Sequence, residues 1–206
     1  MRKTDYIKEF KSITRNRSYI LLTISFTCLY GIYNALGSII AQVTKPYGFN
    51  STDNSIFGVV FILFGVIGSF LMGYLLDKYQ RFKLTVILCT SLSSLFIVAS
   101  FFTLTSGNTP IFSVNLAFLG FTIIPVIPTS FAFSVELTYP VSESISNGMM
   151  ILVSQIFGTI LGLIAAELST EEGSLGAVAL MLAFSLTGTL SSLFVVEDLR
   201  RLKSEH

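Results

Sequence analysis

Residues 56–102 read IFGVVFILFGVIGSFLMGYLLDKYQRFKLTVILCTSLSSLFIVASFF: two uncharged apolar runs, Ile56–Leu76 and Leu84–Phe102, joined by the short polar stretch Asp77–Lys83. The hydrocarbon core of a bilayer takes about 20 apolar residues of helix, so each run is long enough to cross it. A charge at the bilayer centre is costly, and here every charge falls in the connection. The same pattern extends outward to Tyr19–Gln42, Ile111–Val135, Asn147–Ala166 and Gly176–Val196, none of which contains Lys, Arg, Asp or Glu. The first run is too long for a signal-peptide core and no small-residue cleavage site follows it. The chain therefore reads as an all-α polytopic membrane protein: a tail over residues 1–18, a six-helix lobe over 19–196, and a second tail over 197–206.

Composition excludes the main alternatives. Of 206 residues, 52% are hydrophobic and 12% charged, half the roughly 25% charge of a soluble domain, and the mean hydropathy is +0.75. A net charge of +1 offers no concentrated basic face for nucleic acid. Cys28 and Cys89 lie inside apolar runs and the single histidine, His206, is the last residue, so no disulfide scaffold, metal site, cofactor or catalytic residue is expected. A six-helix membrane protease needs an intramembrane histidine, which this sequence lacks.

The basic residues set an expected orientation. Arg2, Lys3, Lys8, Lys11, Arg15 and Arg17 precede the first span, Lys78, Arg81 and Lys83 follow the second, and Arg200, Arg201 and Lys203 follow the sixth. Of the basic residues only Lys45 falls on the other side, with Asp53, Glu167, Glu171 and Glu172. The positive-inside rule then places both termini in the cytoplasm. The mixed charged and apolar spacing of Met1–Ser18 suits either an amphipathic surface helix or an unstructured tail. Asn50-Ser51-Thr52 is a glycosylation sequon on the outer side.

Six spans divide into two sets of three, a common inverted-repeat plan in transporters. Small residues recur at helical spacing: Gly65, Ser69 and Gly73 on the second span, Ser154, Gly158, Gly162 and Ala166 on the fifth, and Ala179, Ala183, Thr187 and Ser191 on the sixth. Such stripes let backbones approach closely, either as fixed packing or as sliding surfaces. Pro125 and Pro128 break the fourth span, as a structural kink or as a point of movement or binding.

Two motifs carry a family resemblance. Gly73-Tyr-Leu-Leu-Asp77-Lys78-Tyr-Gln80-Arg81-Phe-Lys83 is similar to the loop pattern G-x-x-x-D-[RK]-x-G-[RK]-x-[RK] of the major facilitator superfamily, with Gln80 in the place of a glycine. Phe131-Ala-Phe133-Ser-Val-Glu136-Leu-Thr-Tyr139-Pro140-Val-Ser-Glu143-Ser-Ile-Ser-Asn-Gly148, followed by Gln155-Ile-Phe157-Gly158, resembles the feline leukaemia virus subgroup C receptor (FLVCR) family within it. The stretch Tyr30–Gln42 also looks like that family's seventh helix. The resemblance covers nearly the whole chain and implies the C-terminal six-helix lobe of a twelve-helix facilitator. It also implies a small organic solute, choline- or ethanolamine-like or haem-like, and a pathway shared with a missing N-terminal lobe, a second copy or a partner chain. Met1 falls where that family's interlobe linker would lie, so either a half-length transporter or a truncated gene product is expected. A non-transporting subunit or receptor that keeps the lobe fold is the alternative.

The residues add their own expectations. Gln155 lies about eight residues into the fifth span, roughly 12 Å along the helix, where an amide must find a partner or line a wet cavity. The resemblance favours the cavity. Asn34 with Tyr30 and Tyr33 makes a polar-aromatic cluster in the first span, although the family tends to carry an aromatic where Asn34 stands. Glu136 and Glu143 flank a connection without basic residues. They read either as a cytoplasmic gate paired to Lys78, Arg81 or Lys83 around the Tyr139-Pro140 turn, or as solvated loop acids. No span carries an acid, so aromatics and amides suit a small cation or an uncharged solute moving by facilitated diffusion.

Overall fold

The computed structural model describes residues 6–170 and 173–199. Arg2, Lys3, Glu171, Glu172, Arg200, Arg201, Lys203 and His206 lie outside the described residues, as do the side chains of Tyr6 and Ile7. The elements are helices α1 (Tyr6–Ile13), α2 (Arg17–Thr44), α3 (Ser51–Tyr79), α4 (Phe82–Thr105), α5 (Thr109–Ile123), α6 (Val126–Thr138), α7 (Glu143–Glu167) and α8 (Leu175–Leu193), with a 3₁₀ turn at Lys45–Tyr47. Among the described residues six membrane-length apolar segments result, because α5 and α6 together make one.

The caps are local chemistry. The Asn16 side chain accepts the Tyr19 N–H at 3.2 Å to open α2. Asn50 and Asp53 cap α3 reciprocally, each side chain accepting the other's N–H at 2.9 Å, the capping-box arrangement. Asn108 opens α5, with Pro110 in its first turn. The sixth span ends at Leu193, three residues short of the sequence reading, because Val195 is buried and the Val196 N–H turns back to the Ser18 hydroxyl at 3.2 Å. That bond also brings the end of the last span to the start of the first. Both described ends of the chain therefore share one face of the lobe.

Packing follows an exchange of the two three-span sets. The first span lies on the fifth as the fourth lies on the second, and the first also meets the sixth as the fourth meets the third. With an odd number of spans per set the two sets run in opposite directions, so the pairing is that of an inverted repeat. The repeat, suggested by span number in the sequence, is expressed in the helix contacts.

Glycine placement explains the tight crossings. A Cβ on Gly120 would overlap the Phe61 carbonyl oxygen, and one on Gly68 would overlap the Phe121 carbonyl oxygen. The two backbones thus touch reciprocally, in the geometry of Cα–H···O contacts. Gly65 lies beneath the Ile124 side chain. Pro125 lacks the N–H that would bond the Phe121 carbonyl, so that oxygen is left facing Gly68. Pro125 and Val126 are buried: the break in the fourth span is a packed knee against α3. On the other side, a Cβ on Gly158 would come within 3.1 Å of the Gly31 Cα, and one on Gly162 would lie 3.9 Å from the Ala35 Cα.

Two stripes read from the sequence need correction. On α3 the second tight glycine is Gly68, one turn along from Gly65, whereas nothing comes within 4 Å of a Cβ at Gly73; Ser69 bonds back to the Gly65 carbonyl at 3.0 Å. On α8, Ala179, Ala183 and Thr187 are exposed while Ser191 is buried and donates to the Leu21 carbonyl at 2.7 Å, and the packed face is Val178, Met181, Ser185, Gly188, Ser191 and Ser192. A helix turns by about 100° per residue, so small residues one position off the seam face away from it.

The core has two tiers. Near the chain ends, Ile13, Leu22, Phe26, Phe82, Phe133, Leu137, Met150 and Val195 pack together. Toward the opposite end lie Ile32, Ala35, Phe57, Phe61, Phe112, Leu116, Leu161 and Met181. Hydroxyl pairs stitch the helices within this apolar interior: Thr27 with Ser154 at 3.0 Å, Ser94 with Ser185 at 2.7 Å, and Ser93 with Thr122 at 3.0 Å. Interhelical bonds of this kind contribute about 0.6 kcal/mol each in a bilayer.

Candidate functional site

The open face of the lobe is built on α2, α3 and α7. Tyr30 and Gln155 stand halfway along α2 and α7, which run against each other. The Gln155 amide nitrogen donates to the Tyr30 hydroxyl at 3.4 Å, and its carbonyl oxygen accepts from the Asn34 amide at 3.4 Å. The close approach of Gly31 to Gly158 puts these side chains within reach. Gln155 is exposed rather than buried in the lobe: the amide reaches its partners across the open face.

Tyr33 belongs to a band of rings beside this cluster. Phe131 lies 5.3 Å from Phe26, Phe26 stacks on Tyr30 at 5.2 Å, Tyr30 lies 6.0 Å from Tyr33, and Tyr33 stacks on Phe61 at 6.2 Å. The band crosses from α6 over α2 to α3. Beyond it, away from the chain ends, is a cavity of about 470 Å³ whose walls include Tyr33, Asn34, Gly37, Ser38, Phe57 and Phe61. Asn54 closes its far end, its side-chain oxygen accepting the Thr44 hydroxyl at 2.7 Å. The described wall carries no charge, so a guest would meet aromatic rings, the Asn34 and Asn54 amides, the Ser38 hydroxyl and aliphatic side chains such as Leu36 and Leu116.

Phe26, Phe57, Phe61, Gly37, Ser38 and Asn54 escaped the sequence reading because apolar residues on separate spans look lipid-facing until the helices are placed. One signal was present: Phe26, Tyr30, Tyr33 and Gly37 follow the i, i+4, i+7, i+11 spacing of one helix face.

At the chain-end face the motif residues separate. Asp77 and Arg81 are exposed, and the Lys78 ammonium lies 5.4 Å over the Tyr79 ring. Gln80 caps α3 in the left-handed region at φ 51°, its N–H bonded to the Leu76 carbonyl at 2.7 Å. The tight turn therefore forms without the expected glycine. The Lys83 N–H donates to the Glu197 carboxylate at 3.2 Å, so the acid meeting this loop comes from the C-terminal segment. Glu143 is exposed in the first turn of α7. Helix α6 runs on to Thr138, so Glu136 is buried within the helical span and held there, a correction to the reading that no span carries an acid. Tyr139-Pro140 is a cis peptide at the turn into α7.

Helix α1 is fastened to that turn. Glu9 accepts from the Ser142 N–H at 3.3 Å and from its hydroxyl at 3.1 Å, and the Asn16 amide donates to the Leu137 carbonyl at 2.8 Å. Ile13 is 1% exposed, so the segment before the first span docks on the lobe.

Fold and open face together define a multi-pass membrane protein of all-α architecture, six spans arranged as one facilitator-type lobe. Comparison with curated proteins agrees. The chain is 29% identical to the choline/ethanolamine transporter flvcr2a of Danio rerio, over 97% of this chain and 43% of that protein. It is 29% identical to the choline/ethanolamine transporter FLVCR1 of Felis catus, over 97% of this chain and 36% of that protein. With FLVCR2 of Homo sapiens the identity is 26%, over 97% and 37%. The chain thus spans less than half the length of these relatives. No protein-family model matches it. Along nearly its full length the chain is homologous to FLVCR-family transporters of the major facilitator superfamily, a non-enzymatic family.

Proposed function

We propose that this chain is the lobe of a facilitator that carries a small organic ammonium solute of the choline or ethanolamine kind across a membrane. The observation that carries the reading is the half-depth cluster of Tyr30, Asn34 and Gln155, beside the stacked Tyr33 and Phe61, at the edge of a 470 Å³ cavity. A quaternary ammonium over a ring face is attracted by the ring's quadrupole, and the amides can bond a solute hydroxyl. A haem-like solute is less well served, since the described walls hold no His, Cys or Met and offer iron only the Tyr33 phenol.

A facilitator pathway lies between two lobes. Gln155 faces outward from this one, and α3 exposes Ile62 at 53%, Phe70 at 78% and Tyr74 at 63%. We read α3 and α7 as the walls that meet a second lobe, a second copy or a partner chain, the remainder of the surface meeting lipid. The basic residues around Lys11, Arg15, Arg17, Lys78 and Arg81 support a cytoplasmic chain-end face, and we read Glu136, Glu143 and the Tyr139-Pro140 turn as the candidate gate region there. Movement is by alternating access down the solute gradient.

Uptake of labelled choline and ethanolamine tests this, with the chain expressed alone and beside an N-terminal facilitator lobe. Removing an amide that bonds the solute costs about tenfold or more in flux, so Gln155→Ala should lose uptake at unchanged membrane abundance. Flux at background in both settings would overturn the proposal in favour of a non-transporting subunit.

A further inference from the structure

Glycine within a helix is less favourable than alanine by about 1 kcal/mol. At Gly31, Gly65, Gly68, Gly120, Gly158 and Gly188 the reason for tolerating it is visible, because a Cβ would come within 3.2 Å of a neighbouring helix. Gly37 and Gly58 have no such reason: nothing lies within 4 Å of a Cβ at either. Both line the cavity, Gly37 from α2 and Gly58 from α3. Gly37 stands two turns beyond Tyr30 on the same helix face, and Gly58 one turn before Phe61, whose ring stacks on Tyr33. Gly73 and Gly148 also meet open space, but neither lines the cavity.

We propose that Gly37 and Gly58 set the bore of the cavity between the half-depth cluster and the end of the lobe remote from the chain termini, and so select solutes by the size of their ammonium group. Missing side chains on two facing helices leave room for a trimethylammonium head beside Tyr33 and Phe61. A branched side chain at either position would fill that room while leaving space for a primary ammonium. The proposal rests on the transporter reading for the solute's identity, but the bore is a property of the lobe itself.

The test is thiol accessibility in membranes containing the full chain, with Cys28 and Cys89 replaced by serine. Gly58→Cys and Gly37→Cys are each treated with two methanethiosulfonates, one bearing an ethylammonium group and one an ethyltrimethylammonium group. Both reagents should modify both cysteines. Placing Gly37→Val beside Gly58→Cys, or Gly58→Val beside Gly37→Cys, should slow the trimethylammonium reagent by about tenfold relative to the smaller one, the discrimination expected of a few methyl groups in a pocket. Unreactive cysteines, or valines that slow the two reagents equally or not at all, overturn the proposal. The two valine arms lie on different helices, so misfolding of one leaves the other decisive. Protection by choline, and its loss in Gln155→Ala, reports separately on the transporter reading: size selection without protection would retain the bore and refute the solute.

Discussion

Replacing Gly68 with alanine puts one methyl group onto the Phe121 carbonyl oxygen, at the point where α3 and α5 touch backbone to backbone. Neither side can yield by rotating a side chain, because the obstacle is main chain. The Phe121 carbonyl is fixed there because Pro125 supplies no N–H to draw it back into the helix. The helices must separate, and Gly65 with Ile124, one turn away, separates with them. Overpacking of this kind costs about 1–3 kcal/mol. For a chain of this size that is about 2–12 °C in midpoint at 2–4 °C per kcal/mol. Gly37→Ala is the internal control: the same methyl meets open space, and the better helix propensity of alanine stabilises by up to about 1 kcal/mol. Thermal unfolding of the detergent-purified chain, followed by helical circular dichroism and by monodisperse recovery, should place the two variants on opposite sides of the wild type. Equal midpoints for Gly68→Ala and Gly37→Ala would refute the claim that this crossing is set by backbone contact.

Two further outcomes are expected. Gln80→Gly should raise the unfolding midpoint, since glycine removes a left-handed penalty of about 1 kcal/mol at the α3 cap; a lowered midpoint would mean the Gln80 side chain contributes more than its backbone costs. Cysteines introduced at Thr14 and Tyr79 should react with an impermeant reagent only after the cytoplasmic face is opened, and one at Ser106 only from the opposite face. Labelling of Thr14→Cys and Ser106→Cys from the same side would overturn the six-span topology.

The spans and the loop order were written in local chemistry. Twenty-residue uncharged runs demand helices in a bilayer, because a helix satisfies every backbone group within a single run whereas a barrel strand is about half that length, and charge-bearing stretches such as Asp77–Lys83 demand the ends. The members of the candidate cluster were legible for a related reason: an amide at Gln155 in the middle of an apolar run calls for a partner, and Asn34 with Tyr30 and Tyr33 stands out in the first span. Which partner Gln155 takes was not legible. Tyr30 and Asn34 are remote from Gln155 in the chain, and they meet because Gly31 and Gly158 let two backbones close. The stripes on α3 and α8 show the same limit, since a shift of one residue turns a small side chain from the seam to the outside.

Residue order alone determined the class of molecule, its six crossings, and the split of charge between its two faces, because hydropathy and electrostatics act on short windows of chain. Tertiary structure alone decided that Pro125 makes a packed knee, that Glu136 lies buried inside the span, that Glu9 fastens the first helix to Ser142, and that Gly37 and Gly58 face an empty space. Each of these depends on which surfaces meet across distant helices, and that is fixed by shape complementarity summed over the whole lobe rather than by any local run of residues.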